Sequence, residues 1–175
     1  MALGRREAIV LGAVGVAAAA TGFLAGPLVL QSHTGAADLL SARFPDRSGR
    51  IRALSEWSGR ILVCNFWATW CAPCIEEIPL LASVRETFFP KGVEIVGIGI
   101  DSSDKIAEFT RTTPISYPVL IADVSSLDLL RKLGNTAGGL PYTVILDRQG
   151  TIAHRKLGAF KGTELQVLLA KMLGS

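Results

Sequence analysis

The 175-residue chain is poor in the residues that bind metals, with three cysteines, two histidines and two methionines. A structural zinc takes about four ligands. Beyond Cys71 and Cys74 only Cys64, His33 and His154 remain, none in a paired spacing, so zinc is excluded. Ile75 stands where a haem-attachment motif needs histidine after its second cysteine. No Met or His is placed beside the pair as a further copper ligand. No metal or other cofactor is therefore expected. Blocks of like charge are also missing: the formal net charge is +3 and the basic residues are dispersed. Arg43, Arg47, Arg50, Arg52 and Arg60 form a loose basic stretch that reads as a solvated face, and no nucleic-acid partner is expected. Internal repeats are absent, and low complexity is confined to the N-terminal block.

That block carries no charge from Ala8 to Leu30 and is preceded by Arg5-Arg6-Glu7. About 20 apolar residues span a bilayer, and flanking basic residues stay on the cytoplasmic side. The rest of the chain should then lie outside the cytoplasm, in the periplasm. Ala, Gly and Pro27 keep the block only moderately hydrophobic, which leaves two readings. It is an uncleaved signal anchor holding the chain in the inner membrane through residues 8–30, or a cleaved export signal. Arg5-Arg6-Glu7-Ala8-Ile9 resembles a twin-arginine signal, and Gly35-Ala36-Ala37 offers small residues to a peptidase. The expected division is an anchor or export signal with linker over 1–37 and one domain over 38–175.

Gln31 to Phe44 reads as a linker and entry segment without a clear period. Pro45 to Gly49 is a turn, and Arg50 to Leu54 alternates like a half-buried strand. Ile61 to Trp67 and Val93 to Ile100 are continuous apolar runs, the pattern of strands buried on both faces. A helix opens near Cys71 to Pro73 and runs toward Phe88, with a kink expected at Pro79. A short helix from Lys105 to Arg111 stops before Pro114. Pro118 to Ile121 reads as an extra strand and Leu127 to Leu133 as an extra helix closed by Gly134. Tyr142 to Leu146 and Thr151 to Leu157 flank the turn Asp147-Arg148-Gln149-Gly150 as a hairpin, and Leu165, Leu168, Leu169 and Met172 give a last helix one apolar stripe. This order makes an α/β fold, a mixed central sheet with helices on both faces.

Cys71-Ala72-Pro73-Cys74 therefore lies where a buried strand hands over to a helix. Unpaired N–H groups and the positive end of the helix dipole stabilise a thiolate there. A disulfide closing so short a loop would constrain the unfolded chain little, which argues against a purely structural bridge. The leading reading is a reversible dithiol–disulfide pair. Cys64, in an apolar strand, reads as an inert buried thiol.

Several segments together resemble a known family: Leu54-Ser55-Glu56-Trp57, Asn65-Phe66-Trp67-Ala68-Thr69-Trp70-Cys71-Ala72-Pro73-Cys74, Glu77 with Pro79, and Gly138-Gly139-Leu140-Pro141. They are similar to the extracytoplasmic thioredoxin-like proteins of TlpA, ResA and CcmG type, over a span from about Phe44 to the C-terminus. The resemblance implies a thioredoxin-like fold with an N-terminal strand extension and a strand–helix insertion between Ile100 and Pro141. It also implies a protein-disulfide reductase that acts on disulfide-containing proteins, in cytochrome c maturation or copper-site assembly. A membrane thiol reductase would recycle it, and a monomer is expected.

By the same resemblance Cys71 is the exposed nucleophile, Cys74 the resolving thiol and Pro141 a cis-proline beside them. Leu140 backbone groups would pair with an extended substrate, with Trp70 and Pro73 in the substrate contact. Glu77, one turn after Cys74, would help move protons to or from the thiols; the competing reading makes it a surface carboxylate like Glu76. Asn65 stands where thioredoxin carries a buried aspartate, which makes Glu77 the more plausible acceptor. Rival functions are the same exchange run as an oxidant, a thiol peroxidase and a metal-delivery module. The peroxidase motif Pro-x-x-x-Thr-x-x-Cys is not met, since Thr69 precedes Cys71 by two residues.

Overall fold

In the computed structural model, which describes residues 35–174, the continuous apolar runs form the two innermost strands of a five-stranded sheet. The order is β5-β4-β3-β6-β7, with β3 Ile61–Trp67, β4 Val93–Ile100, β5 Val119–Ala122, β6 Tyr142–Leu146 and β7 Ile152–Leu157. β3, β4 and β5 run parallel, while β6 pairs antiparallel with β3 and β7 antiparallel with β6. Helical crossovers from β3 to β4 and from β4 to β5 keep those strands parallel, and the tight turn from β6 to β7 makes that pair antiparallel. The expected α/β fold is therefore the observed one.

Every residue of β3 and β4 is buried, since helices cover both faces. Side-chain alternation sends Ile61, Val63 and Trp67 to one face, and Leu62, Cys64 and Phe66 to the other. Helices α2 (Ala72–Phe88), α3 (Ser103–Thr112) and α5 (Glu164–Gly174) close the first face through Ile78, Leu81, Val84, Ile106, Leu165 and Leu169. Each such fully buried aliphatic side chain contributes about 1.5–3 kcal/mol. The second face is covered by α4 (Leu127–Lys132) and by a helix α1 over residues 35–41, which inserts Ala36 and Leu39.

Helix α1 corrects the linker reading over residues 35–41. Its buried residues are few and set among Gly, Ala and Ser, so the sequence shows no period, yet Leu39 is wholly enclosed. The uncharged block, residues 8–30, lies outside the described residues. Among the described residues, no helix is long and apolar enough to cross a membrane.

The expected N-terminal strand extension is a hairpin of β1 (Arg43–Pro45) and β2 (Ile51–Ala53), joined to the main sheet by a bridge from Asp46 to Leu120. It ends in a 3₁₀ turn, Leu54–Trp57, that buries Leu54. The inserted β5 and α4 also lie where expected. α2 passes Pro79 as one element and not as two. Two glycines of β4 make room on the first face: a Cβ on Gly97 would lie 2.9 Å from Tyr117 and 3.1 Å from Trp67, and one on Gly99 would lie 2.6 Å from Ile106. Both rings and Ile106 can then lie directly on the backbone.

Candidate active site

Cys71 is the N-cap of α2 in extended backbone geometry, with Ala72 and Pro73 opening the helix. Its carbonyl accepts from Cys74 N at 3.0 Å and from Ile75 N at 3.1 Å, closing the first turn. Cys71 and Cys74 form a disulfide with a Cα–Cα distance of 5.3 Å. The N-terminal turn points the positive end of the helix dipole at Cys71, the surrounding that stabilises a thiolate once the bond is reduced.

Cys71 is 6% exposed and Cys74 1%. The expectation of an exposed nucleophile is corrected to this extent: in the disulfide form Cys71 is only the less covered of two buried cysteines. The N-cap position draws it into the same apolar cluster as Cys74 and Ile78. Trp70 beside it is 69% exposed, an unusual position for a tryptophan. The loop that carries Trp70 is fixed from below, where Thr69 Oγ1 donates to Asp101 Oδ2 at the end of β4. Burial would raise the Asp101 carboxyl, but the bonds from Thr69, Ser102 N and Lys105 outweigh it and hold the group below its usual range.

Glu77 is 2% exposed, so the surface-carboxylate reading is excluded. Its Oε1 accepts from Phe160 N at 2.6 Å and its Oε2 from Asn65 Nδ2 at 3.1 Å. Asn65 Nδ2 also donates to Thr143 Oγ1 at 3.0 Å. Burial pushes the Glu77 carboxyl above the ordinary glutamate range, opposed by the Phe160 and Asn65 bonds and by the charge of Lys156. Glu77 therefore holds a proton more readily than a surface glutamate does.

Pro141 follows a cis peptide bond, Leu140–Pro141, as the resemblance implied. Leu140 packs against both the cluster that contains the two cysteines and the one on the opposite face of the sheet. Pro73 is exposed on the first turn of α2, and Pro141 is buried. Cys64 lies on the opposite face in the second cluster, and burial pushes its thiol far above the ordinary range, so it stays protonated.

Some residues of the site were not legible in the sequence. Asn135, 3% exposed, donates from Nδ2 to Gly139 O at 2.8 Å and so holds the loop before Pro141. Leu133 O accepts from Tyr142 Oη at 2.7 Å and from Arg155 Nε at 2.8 Å, which clamps the end of α4 to β6 and β7. Tyr117 is buried with its hydroxyl unpartnered among the described residues. Burial, and then the charge of Glu77, push that hydroxyl above the ordinary tyrosine range. An asparagine ahead of a Gly-Gly-x-Pro loop is the one signal that could have pointed to Asn135.

Residues 36–155 match the AhpC/TSA family. The chain is similar to the thiol-disulfide oxidoreductase ResA of Bacillus thuringiensis, 28% identical over 130 residues, 73% of this chain and 72% of that protein. ResA of Bacillus subtilis is 33% identical over 110 residues, 61% of this chain and 58% of that protein. Among solved structures, a thiol:disulfide interchange protein DsbE from Chlorobium tepidum, itself described as putative, shares the fold. Its TM-score is 0.68 at 23% identity, over 76% of this chain and 93% of that one. A family match across more than half the chain, with a C-x-x-C disulfide seated at a helix N-terminus on this sheet, has one consequence: the chain belongs to the AhpC/TSA family, as a thiol-disulfide oxidoreductase of the ResA type.

Proposed function

We propose that the chain is an extracytoplasmic reductant of protein disulfides, serving cytochrome c maturation or copper-site assembly. The observation that supports the reading is the buried Glu77, three residues after Cys74 on the same helix, where a carboxyl would take the proton of the resolving thiol. The address rests on Arg5-Arg6 and the uncharged stretch from Ala8 to Leu30. In that compartment the pair would be kept reduced by a membrane thiol reductase, and the enzyme would act as a monomer.

The proposed exchange runs in two steps. The Cys71 thiolate attacks a substrate disulfide, and the first substrate sulfur leaves as a thiolate. Cys74 then gives its proton to Glu77 and attacks Cys71 Sγ. The Cys71–Cys74 bond forms, and the second substrate sulfur leaves. The enzyme dithiol is oxidised, the substrate disulfide is reduced, and the released thiolates take protons from solvent, to which Cys71 and Glu77 give theirs. Trp70 and Pro73, both exposed, and the Leu140–Pro141 loop would hold the extended substrate segment around the sulfurs.

Insulin-disulfide reduction tests the scheme. Cys71→Ser is expected to abolish turnover, and Cys74→Ser to accumulate mixed disulfides; full activity in Cys71→Ser sinks the scheme. The reduction potential of the pair decides the direction. A value near about −270 mV supports the reductant, and one near about −120 mV makes the chain an oxidant.

A further inference from the structure

Glu77 does not sit in an isolated pocket. The strand register lines up one row across the sheet: Gly97 faces Asn65, Asn65 faces Thr143, and Thr143 faces Lys156. In that row Asn65 bonds both Glu77 and Thr143, and Lys156 stands at the outer end on the edge strand β7. Lys156 Nζ lies 2.7 Å from Glu164 Oε1 on α5 and 5.1 Å from the centre of the Phe160 ring. The backbone N–H of that same Phe160 holds Glu77 Oε1. The ion pair is half in solvent, the Lys156 side chain 23% exposed and that of Glu164 46%. A polar row thus runs from a wholly buried carboxyl to a charged pair at the surface.

We propose that the Lys156–Glu164 pair is the counter-charge that sets when Glu77 takes up and releases the Cys74 proton. Lys156 touches neither substrate nor the sulfurs; it is a positioning residue that acts through Glu77. Its cation favours the carboxylate form, the form that can accept a proton, and the Glu164 carboxylate opposes it. Glu77 is also faced by the Phe160 N–H, by the Asn65 amide on β3, which itself bonds the Thr143 hydroxyl on β6, and by the Tyr117 hydroxyl ahead of β5, and it shares its helix with the Cys71–Cys74 pair. Lys156 is the one cation of the set. In the second step the Cys74 proton moves to Glu77, the Cys71–Cys74 bond forms, and the Cys71–substrate bond breaks. The departing thiolate is protonated by solvent, and Glu77 returns its proton to solvent at the end where Lys156 and Glu164 stand.

The inference rests on Glu77 as the proton acceptor, so the test carries a Glu77 arm. pH–rate profiles of insulin-disulfide reduction are recorded for the full chain and for Glu77→Gln, Lys156→Gln, Lys156→Arg and Glu164→Gln. Glu77→Gln is expected to remove an inflection seen in the wild type. Lys156→Gln should move that inflection up by several tenths of a pH unit, Glu164→Gln should move it down, and Lys156→Arg should restore it. A purely structural pair would change the stability of both variants in the same direction and leave the inflection in place. An unmoved inflection, or one moved the same way by both variants, overturns the proposal while the Glu77 reading stands. An inflection that survives in Glu77→Gln overturns both. Should Lys156→Gln fail to fold, the surface variant Glu164→Gln decides alone: a downward move supports the proposal, and anything else overturns it.

Discussion

Asn65 Nδ2 donates to Glu77 Oε2 at 3.1 Å, a bond made wholly inside the protein between the central strand and the redox helix. It fixes a buried carboxyl on the redox helix and ties its ionisation to the stability of the fold.

The folded state raises the Glu77 carboxyl, chiefly by burial. A group whose folded value lies above its unfolded value contributes stability that is full below the unfolded value and lost as pH rises through the folded one. Asp46, Glu56, Asp101 and Glu164 are shifted the other way, so their contribution is lost on acidification. Glu77→Gln is therefore expected to gain stability over the wild type progressively as pH rises from the acid side to neutrality. Urea unfolding of the oxidised proteins across that range checks it, and a difference that stays flat with pH refutes it.

Asn135→Ala removes the donor that holds Gly139 O ahead of Pro141. The loss is expected to cost about 0.5–1.5 kcal/mol, the usual net worth of such a bond. Because the loop belongs to the proposed substrate surface, KM for a protein substrate should rise more than kcat falls. An unchanged KM would separate Asn135 from substrate binding.

Gly97→Ala would place a methyl group 2.9 Å from Tyr117 and 3.1 Å from Trp67, both enclosed. Overpacking of this kind costs about 1–3 kcal/mol, which thermal unfolding will read as a lower Tm. Tyr117→Phe at the same spot removes an unpartnered buried hydroxyl and is expected to be neutral or slightly stabilising.

Trp70→Ala tests the surface beside the disulfide. With the ring 69% exposed, stability is expected to stay within about 0.5 kcal/mol of the wild type. Reduction of protein disulfides should weaken through KM, whereas reduction of a small-molecule disulfide should be largely preserved. Equal losses on both substrates would place Trp70 with the thiols and not with the protein contact.

The central strands, the hairpin, the inserted β5 and α4, and the place of Cys71 at the start of α2 were all legible in the chain. Apolar runs, turn residues and helix-start residues are local signals, and the burial of Ile61 to Trp67 follows from the run itself. Helix α1 was not legible, because Ala36 and Leu39 are too few buried apolar side chains in 35–41 to show a periodic stripe. Nor was the depth of Cys71, since burial of an N-cap residue depends on what the rest of the fold lays over it.

What the sequence determined by itself was the chemistry: a C-x-x-C with no metal partners, in a strand-to-helix setting that favours a thiolate. Tertiary structure alone decided the surroundings of the carboxyl one turn after Cys74. Glu77 becomes a buried carboxyl only because Phe160, dozens of residues away, and Asn65, on another element, both donate to it. Lys156 enters its surroundings only through the register of β6 with β7. Spacing along a helix places Glu77 on the face of Cys74, but burial and charge depend on partners distant in the chain, which no local pattern records.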